Sequence, residues 1–194
     1  GERLTEALSR DGIDISAVLR ALDYRTASYT AILDRAGELI AGFSDAAIYE
    51  AMNPAVVAEV GDRFAAWPVW LVDANLPAES LSRVAPRGRL FACAVSPAKA
   101  ERLRPCLGRI EALFANRAEA AVLSGRAVGC VEDALAAAHA LREAGPGMAF
   151  VTLGSEGVAV AAPGVSATWP ALPSAVRDVN GAGDAFAAGV IDGL

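Results

Sequence analysis

The chain has 194 residues, 54% of them hydrophobic and 21% charged, which is enough apolar material for one sizeable core and excludes a disordered chain. Its 17 Lys and Arg against 23 Asp and Glu leave a net charge of −6 with no basic stripe, so a nucleic-acid surface is excluded and any phosphate must be held locally. No apolar stretch approaches the ~18 residues of a bilayer span, no signal segment opens the chain, and Cys93, Cys106 and Cys130 follow no metal-ligand spacing. The expectation is a cytoplasmic protein without a membrane or nucleic-acid partner, its thiols reduced and acting as small buried apolar groups.

Glu2 to Arg10 reads as an amphipathic helix with Leu4, Ala7 and Leu8 on one face. Two strands follow, Tyr24 to Leu33 and Glu38 to Phe43, joined by a turn at Asp34 to Gly37; their β-branched and aromatic content marks an early hairpin. From Pro54 onward helix and strand alternate. Helices are expected at Ala55 to Ala66, Ala78 to Ala85, Ala98 to Leu107, Ala118 to Leu123 and Val131 to Ala144. Strands are expected at Val69 to Val72, Leu90 to Val95, Ile110 to Ala115 and Ala149 to Leu153, the pattern of a parallel sheet covered on both faces. Val158 to Ala162 and Val165 to Trp169, around Pro163-Gly164, then predict an antiparallel pair, and Ala185 to Val190 a last helix. Both ends look cut: Gly1 is no initiator, and the chain stops as its last helix finishes.

The densest chemistry lies in Asp178-Val179-Asn180-Gly181-Ala182-Gly183-Asp184-Ala185-Phe186. Two glycines just before a helix leave first-turn N–H groups to face an anion. A carboxylate in that turn would be repelled by a phosphate, which points to Asp184 as a base for an attacking hydroxyl. The alternative is a glycine turn with Asp184 favoured by the helix dipole. Asn116 and Glu119 follow an apolar strand, where open α/β sheets place ligand groups, but they also fit a capping box. Thr152 and Gly154 join a strand to the late hairpin and read equally as an ordinary turn.

The Gly-Ala-Gly-Asp run resembles the signature of the ribokinase-like (PfkB) family of sugar and nucleoside kinases, and the other segments follow in that family's order. The resemblance implies an α/β, ribokinase-like fold: a mostly parallel sheet with helices on both faces and a small β-hairpin lid, here residues 22–45. It makes 1–194 a single kinase domain that lacks flanking parts. It implies Asp184 as catalytic base, Gly181, Ala182 and Gly183 as the anion hole, Asn116 and Glu119 for Mg²⁺ and phosphate, and Thr152 and Gly154 against ATP. Asp178 and Asn180 would serve a monovalent cation such as K⁺, although Val179 stands where the family often has threonine.

The substrate end, Thr26 to Ala31 with Ile40 to Asp45, Asp73 to Pro77 and Val95 to Lys99, looks like that of the pseudouridine kinases within this family. On that resemblance Asn75 would bond the sugar, Thr26 and Tyr29 would lie on the lid, and Lys99 near substrate or phosphate. An ordinary strand face, a turn asparagine and a solvated lysine are the plainer readings. The implied function is ATP-dependent phosphorylation of a 5′-hydroxyl on a ribose-containing substrate. The alternatives are a ribokinase or other nucleoside kinase, or a ligand-binding relative without turnover; a homodimer is left open. His139, in an alanine-rich helix, has no ligand-spaced partner, and Trp67, Trp70 and Trp169 read as core or interface residues.

Overall fold

The computed structural model describes residues 1–33, 35, 39–84, 88–176 and 179–194. After helix α1 (Glu2–Arg10), strands β1 (Ser28–Leu33) and β2 (Leu39–Asp45) form a separate antiparallel hairpin. It starts later than expected, at Ser28 rather than Tyr24, and its turn, expected at Asp34 to Gly37, falls largely outside the described residues. Gly42 in β2 leaves room for the Tyr29 hydroxyl, which lies where a Cβ would project.

The remaining elements are α2 (Pro54–Arg63), β3 (Val69–Asp73), α3 (Ala78–Arg83), β4 (Arg89–Cys93), α4 (Pro97–Ala100), β5 (Ala112–Asn116), α5 (Arg117–Ser124), α6 (Val131–Glu143), β6 (Met148–Thr152), β7 (Val158–Ala162), β8 (Val165–Trp169) and α7 (Ala182–Gly193). One sheet runs β3-β4-β5-β6-β7-β8, parallel through β6 and antiparallel beyond. The expected helix Ala98 to Leu107 is instead one turn of α4 followed by a 3₁₀ segment, Glu101–Arg109. Pro105 has no N–H to return to Glu101, so the α-helical ladder cannot continue through it.

Alternate residues of each strand feed opposite faces of the sheet. Leu90, Ala92, Leu113, Ala115, Ala149, Val151, Ala159 and Ala161 point into the larger core, closed by Leu81 of α3, Leu103 and Leu107 of the 3₁₀ segment and Leu123 and Leu141 of α5 and α6. Ala134, Ala137 and Ala138 are fully buried, and their small side chains bring α6 close to the strands. Phe91, Ala112, Phe114, Phe150 and Val160 form the opposite face, covered by Phe186, Ala187, Val190 and Ile191 of α7. Helices therefore lie on both faces, as the alternation implies. Cover on the second face thins over β3, where Val69 and Leu71 are exposed.

Candidate active site

The carboxyl ends of the parallel strands and the start of α7 enclose a cleft of about 340 Å³. Asp73 ends β3, Cys93 ends β4, Asn116 ends β5 and Thr152 ends β6; Gly181, Gly183 and Asp184 face them from α7. This is where a doubly covered α/β sheet binds ligands, because side chains there are free of the ladder and neighbouring connections diverge.

The α7 terminus is held by packing rather than by a capping side chain. Gly181, the N-cap, sits at φ 76 and ψ 0 with no side-chain cap bond. A non-glycine residue is strained in that left-handed conformation. The Ala182 N–H donates to Val179 O at 3.2 Å and the Ala185 N–H to Gly181 O at 2.9 Å. Phe186 anchors the turn: its ring meets Phe114 at 6.1 Å and Phe150 at 6.0 Å, both edge-on, over a stacked Phe114–Phe150 pair at 5.2 Å. Two residues before that anchor, Asp184 is exposed and lines the cleft.

Across from it, Asn116 and Glu119 form the capping box that their spacing allows. The Asn116 N–H and Nδ2 donate to the Glu119 carboxylate at 2.8 Å each, and the Glu119 N–H returns a bond to Asn116 Oδ1 at 3.0 Å. Both residues also line the cleft, so capping and ligand roles are compatible. Glu119 is 5% exposed, and burial raises its pKa against the lowering effect of the Asn116 N–H. Cys93 lies among the acids: burial first, then the charges of Asp184, Asp73 and Glu119, push its thiol from 9.0 up to about 11. Arg117 reaches across to Glu156, tying the start of α5 to the Gly154–Glu156 turn.

A second hollow adjoins the first through Thr152, Gly183 and Phe186, and adds Gly154, Ala182, Pro170, Ala171 and Leu172. A third lies under the hairpin, lined by Tyr29, Ser44, Tyr49, Asn75, Ser96 and Lys99, and meets the first at Asn75 and Val95. Thr26 lies outside it; its hydroxyl accepts from the Gly1 amino group. Asn180 stands in the turn before Gly181, whereas Asp178 lies outside the described residues.

Several groups were not assigned a role by sequence reasoning. Asp73 fell within the substrate-end segment Asp73 to Pro77 but without a role of its own, Cys93 and Phe114 were legible only as strand residues, and Tyr49 sits in a 3₁₀ turn, Ala47–Ala51, with no local signal. Val95, at φ 67, is the non-glycine residue with positive φ among those described; the Ser96 N–H donates to Ala94 O at 2.8 Å around it, a strained turn between the two hollows. The expectation of uniformly buried thiols is corrected: Cys106 is buried, Cys93 is partly open in the cleft, and Cys130 is exposed as the N-cap of α6, accepting from the Asp133 N–H. All three are unpaired. His139 shares a 2.7 Å hydrogen bond with Ser166, which accounts for it locally. Of the tryptophans, Trp70 packs on the core while Trp67 and Trp169 are each 49% exposed. Among the described residues no helix is long and apolar enough to cross a membrane.

The family model for pfkB family carbohydrate kinases matches residues 1–194. The pseudouridine kinase of Escherichia coli is 29% identical over 202 residues, covering 100% of this chain and 64% of its own length, so the chain spans just under two thirds of that relative. A carbohydrate kinase from Agrobacterium tumefaciens is similar in structure, with TM-score 0.67 and 34% identity over 82% of this chain and 51% of that one. An Escherichia coli ribokinase II in complex with ATP and Mg²⁺ shares the fold, with TM-score 0.75 and 16% identity over 98% of this chain and 64% of that one. With the sheet order, the hairpin and the glycine-aspartate turn at the strand ends, a match running from the first residue to the last means that the chain belongs to the pfkB family of carbohydrate kinases.

Proposed function

We propose that this protein is an ATP-dependent kinase that phosphorylates the 5′-hydroxyl of a ribose-containing substrate, with pseudouridine as the leading acceptor. The observation that carries the proposal is a row of three adjoining hollows that share lining residues. Asp184 and the glycines of α7 stand at its centre, Asn75, Lys99 and Tyr29 at its hairpin end, and Thr152 and Gly154 at the other.

The donor set fits a phosphate group. A Cβ at Gly181 or Gly183 would meet nothing within 4 Å, so the space beside the helix start is open to an anion. The turn is uncapped by any side chain, which leaves its backbone dipole for the ligand. ATP would lie along Thr152 and Gly154 toward Leu172, with its phosphates at Gly181, Ala182 and Gly183. Asn116 and Glu119 would hold Mg²⁺, which would supply positive charge to the phosphates. A monovalent cation served by Asp178 and Asn180 belongs to the same proposal, with rate measured in K⁺ and Na⁺ as its check.

The chain's own work is positioning and proton transfer. Asp184 accepts the proton of the acceptor hydroxyl as the oxygen attacks. The α7 amides hold the transferring group, and the hairpin shields the reaction from water. Whole-chain similarity to the Escherichia coli pseudouridine kinase supports the acceptor. The unpaired thiols suit a reducing compartment and support a cytoplasmic location.

The test is kcat/KM for pseudouridine, uridine, adenosine and ribose, using protein expressed from its full reading frame. Pseudouridine should lead. A preference of roughly tenfold for ribose or adenosine, about 1.4 kcal/mol, would overturn the acceptor and leave the kinase reading intact.

A further inference from the structure

Asn75 and Val95 border both the central and the hairpin hollows, and the Asn75 side chain is not free to choose its orientation. Asp73, the last residue of β3, accepts from the Asn75 backbone N–H at 2.9 Å through Oδ1 and from Asn75 Nδ2 at 2.9 Å through Oδ2. Both carboxylate oxygens are thus turned to one residue. On the other side, the Lys99 ammonium donates to Asn75 Oδ1 at 2.7 Å, and Arg102 donates to the Asn75 carbonyl at 2.9 Å.

The chemistry fixes the order of these contacts. A carboxylate only accepts and an ammonium only donates, so reversing the amide would set oxygen against oxygen and NH₂ against NH₃⁺. We propose that Asp73 is a positioning residue: its carboxylate locks the Asn75 amide so that Oδ1 holds Lys99 at the hairpin end of the cleft, where both meet the acceptor. One Nδ2 hydrogen and one Oδ1 lone pair then remain on Asn75, a donor and an acceptor suited to a hydroxyl-bearing ring. The proposal deepens the kinase reading and rests on it for the acceptor. The lock itself is a property of the free protein.

Asp73→Asn tests it, because an amide at 73 must face the Asn75 donors with an NH₂ on one side. Acceptor KM should rise about tenfold, the scale of a lost charge-assisted hydrogen bond, while KM for ATP stays unchanged. Asn75→Ala should raise acceptor KM similarly, and the double variant should be no worse than Asn75→Ala alone, since Asp73 acts through Asn75. Additive losses in that cycle, or an acceptor KM unmoved by Asp73→Asn, overturn the proposal.

A ligand-free readout separates this from the kinase reading. In ¹H–¹⁵N spectra of the unliganded protein, the Asn75 side-chain amide signals should shift on Asp73→Asn, and unmoved signals overturn the lock. A wild-type protein without acceptor-dependent turnover but with that shift would sink the kinase reading and leave the lock standing. Should Asp73→Asn fail to fold, Asp73→Ser keeps an acceptor for the backbone N–H, loses the one for Nδ2, and should give the same amide shift and the same rise in acceptor KM.

Discussion

The two ends of the cleft are built differently. The end at α7, proposed to take phosphate, is set on the core: Phe186 packs on Phe114 and Phe150, and Asn116 and Glu119 hold one another in a capping box whose carboxylate is buried. The hairpin end stands on a two-stranded ribbon in which Tyr29 is 58% and Phe43 61% exposed, and its polar groups are aligned by the Asp73–Asn75–Lys99 chain. A group that must meet the reacting atoms to within a fraction of an ångström is best carried on packed elements, whereas a substrate cover has to move. Changes at the first end should therefore cost turnover and stability, and changes at the second should cost acceptor binding alone.

The largest expected effect is Asp184→Asn. It keeps shape and capping ability but removes the proton acceptor, so kcat should fall roughly 10²–10⁴-fold, the range for loss of a general base. ATP affinity by calorimetry should hold or tighten, since a negative charge near the phosphates is gone. A carboxylate that served only the helix start would leave kcat unchanged on this substitution.

Phe186→Ala should cost about 2–3 kcal/mol in denaturant unfolding, somewhat below a fully buried ring. It should also lower kcat, since α7 loses the anchor that aims Asp184. Normal kcat in a destabilised variant would separate packing from alignment. On the hairpin, Tyr29→Ala should do the reverse, raising acceptor KM several-fold with little change in melting temperature, because the ring is already largely in solvent. A large loss of stability would show that the hairpin is part of the core after all.

The smallest effect is also the most local. Cys93 should alkylate with an apparent pKa of about 11, and Asp184→Asn should lower that value, since the Asp184 charge opposes the thiolate. The raised pKa leaves stability untouched below the ordinary thiol value of 9.0 and erodes it as pH rises from there toward 11, because the unfolded chain ionises first. An alkylation profile unmoved by Asp184→Asn would mean that the two groups are not neighbours.

The same contrast governs what could be read from the residues. β7 and β8 fall where Pro163-Gly164 punctuates two apolar runs, and β4, β5 and β6 lie within a few residues of their expected bounds, because burial on both faces writes short continuous apolar segments. The change of the expected helix into a 3₁₀ segment around Pro105 was legible in principle, since a missing N–H is a local fact. The role of Asp73 was not: it depends on Lys99, 24 residues beyond Asn75, arriving at the far side of one amide. Tyr49 likewise enters the hairpin hollow through a 3₁₀ turn that no periodicity marks. Asn116 and Glu119 were open between capping and ligand binding, and the geometry accommodates both because one carboxylate can close a helix start and still border a cleft.

The central claim is that the two ends form one phosphoryl-transfer site, and the stoichiometry of ADP release tests it most directly. With ATP, Mg²⁺ and pseudouridine, protein expressed from its full reading frame should form ADP and a 5′-phosphomonoester in equal amounts, and ADP release should collapse when the acceptor is omitted. ADP formed at the same rate with or without acceptor, or no phosphomonoester from any ribose-containing alcohol, would contradict it.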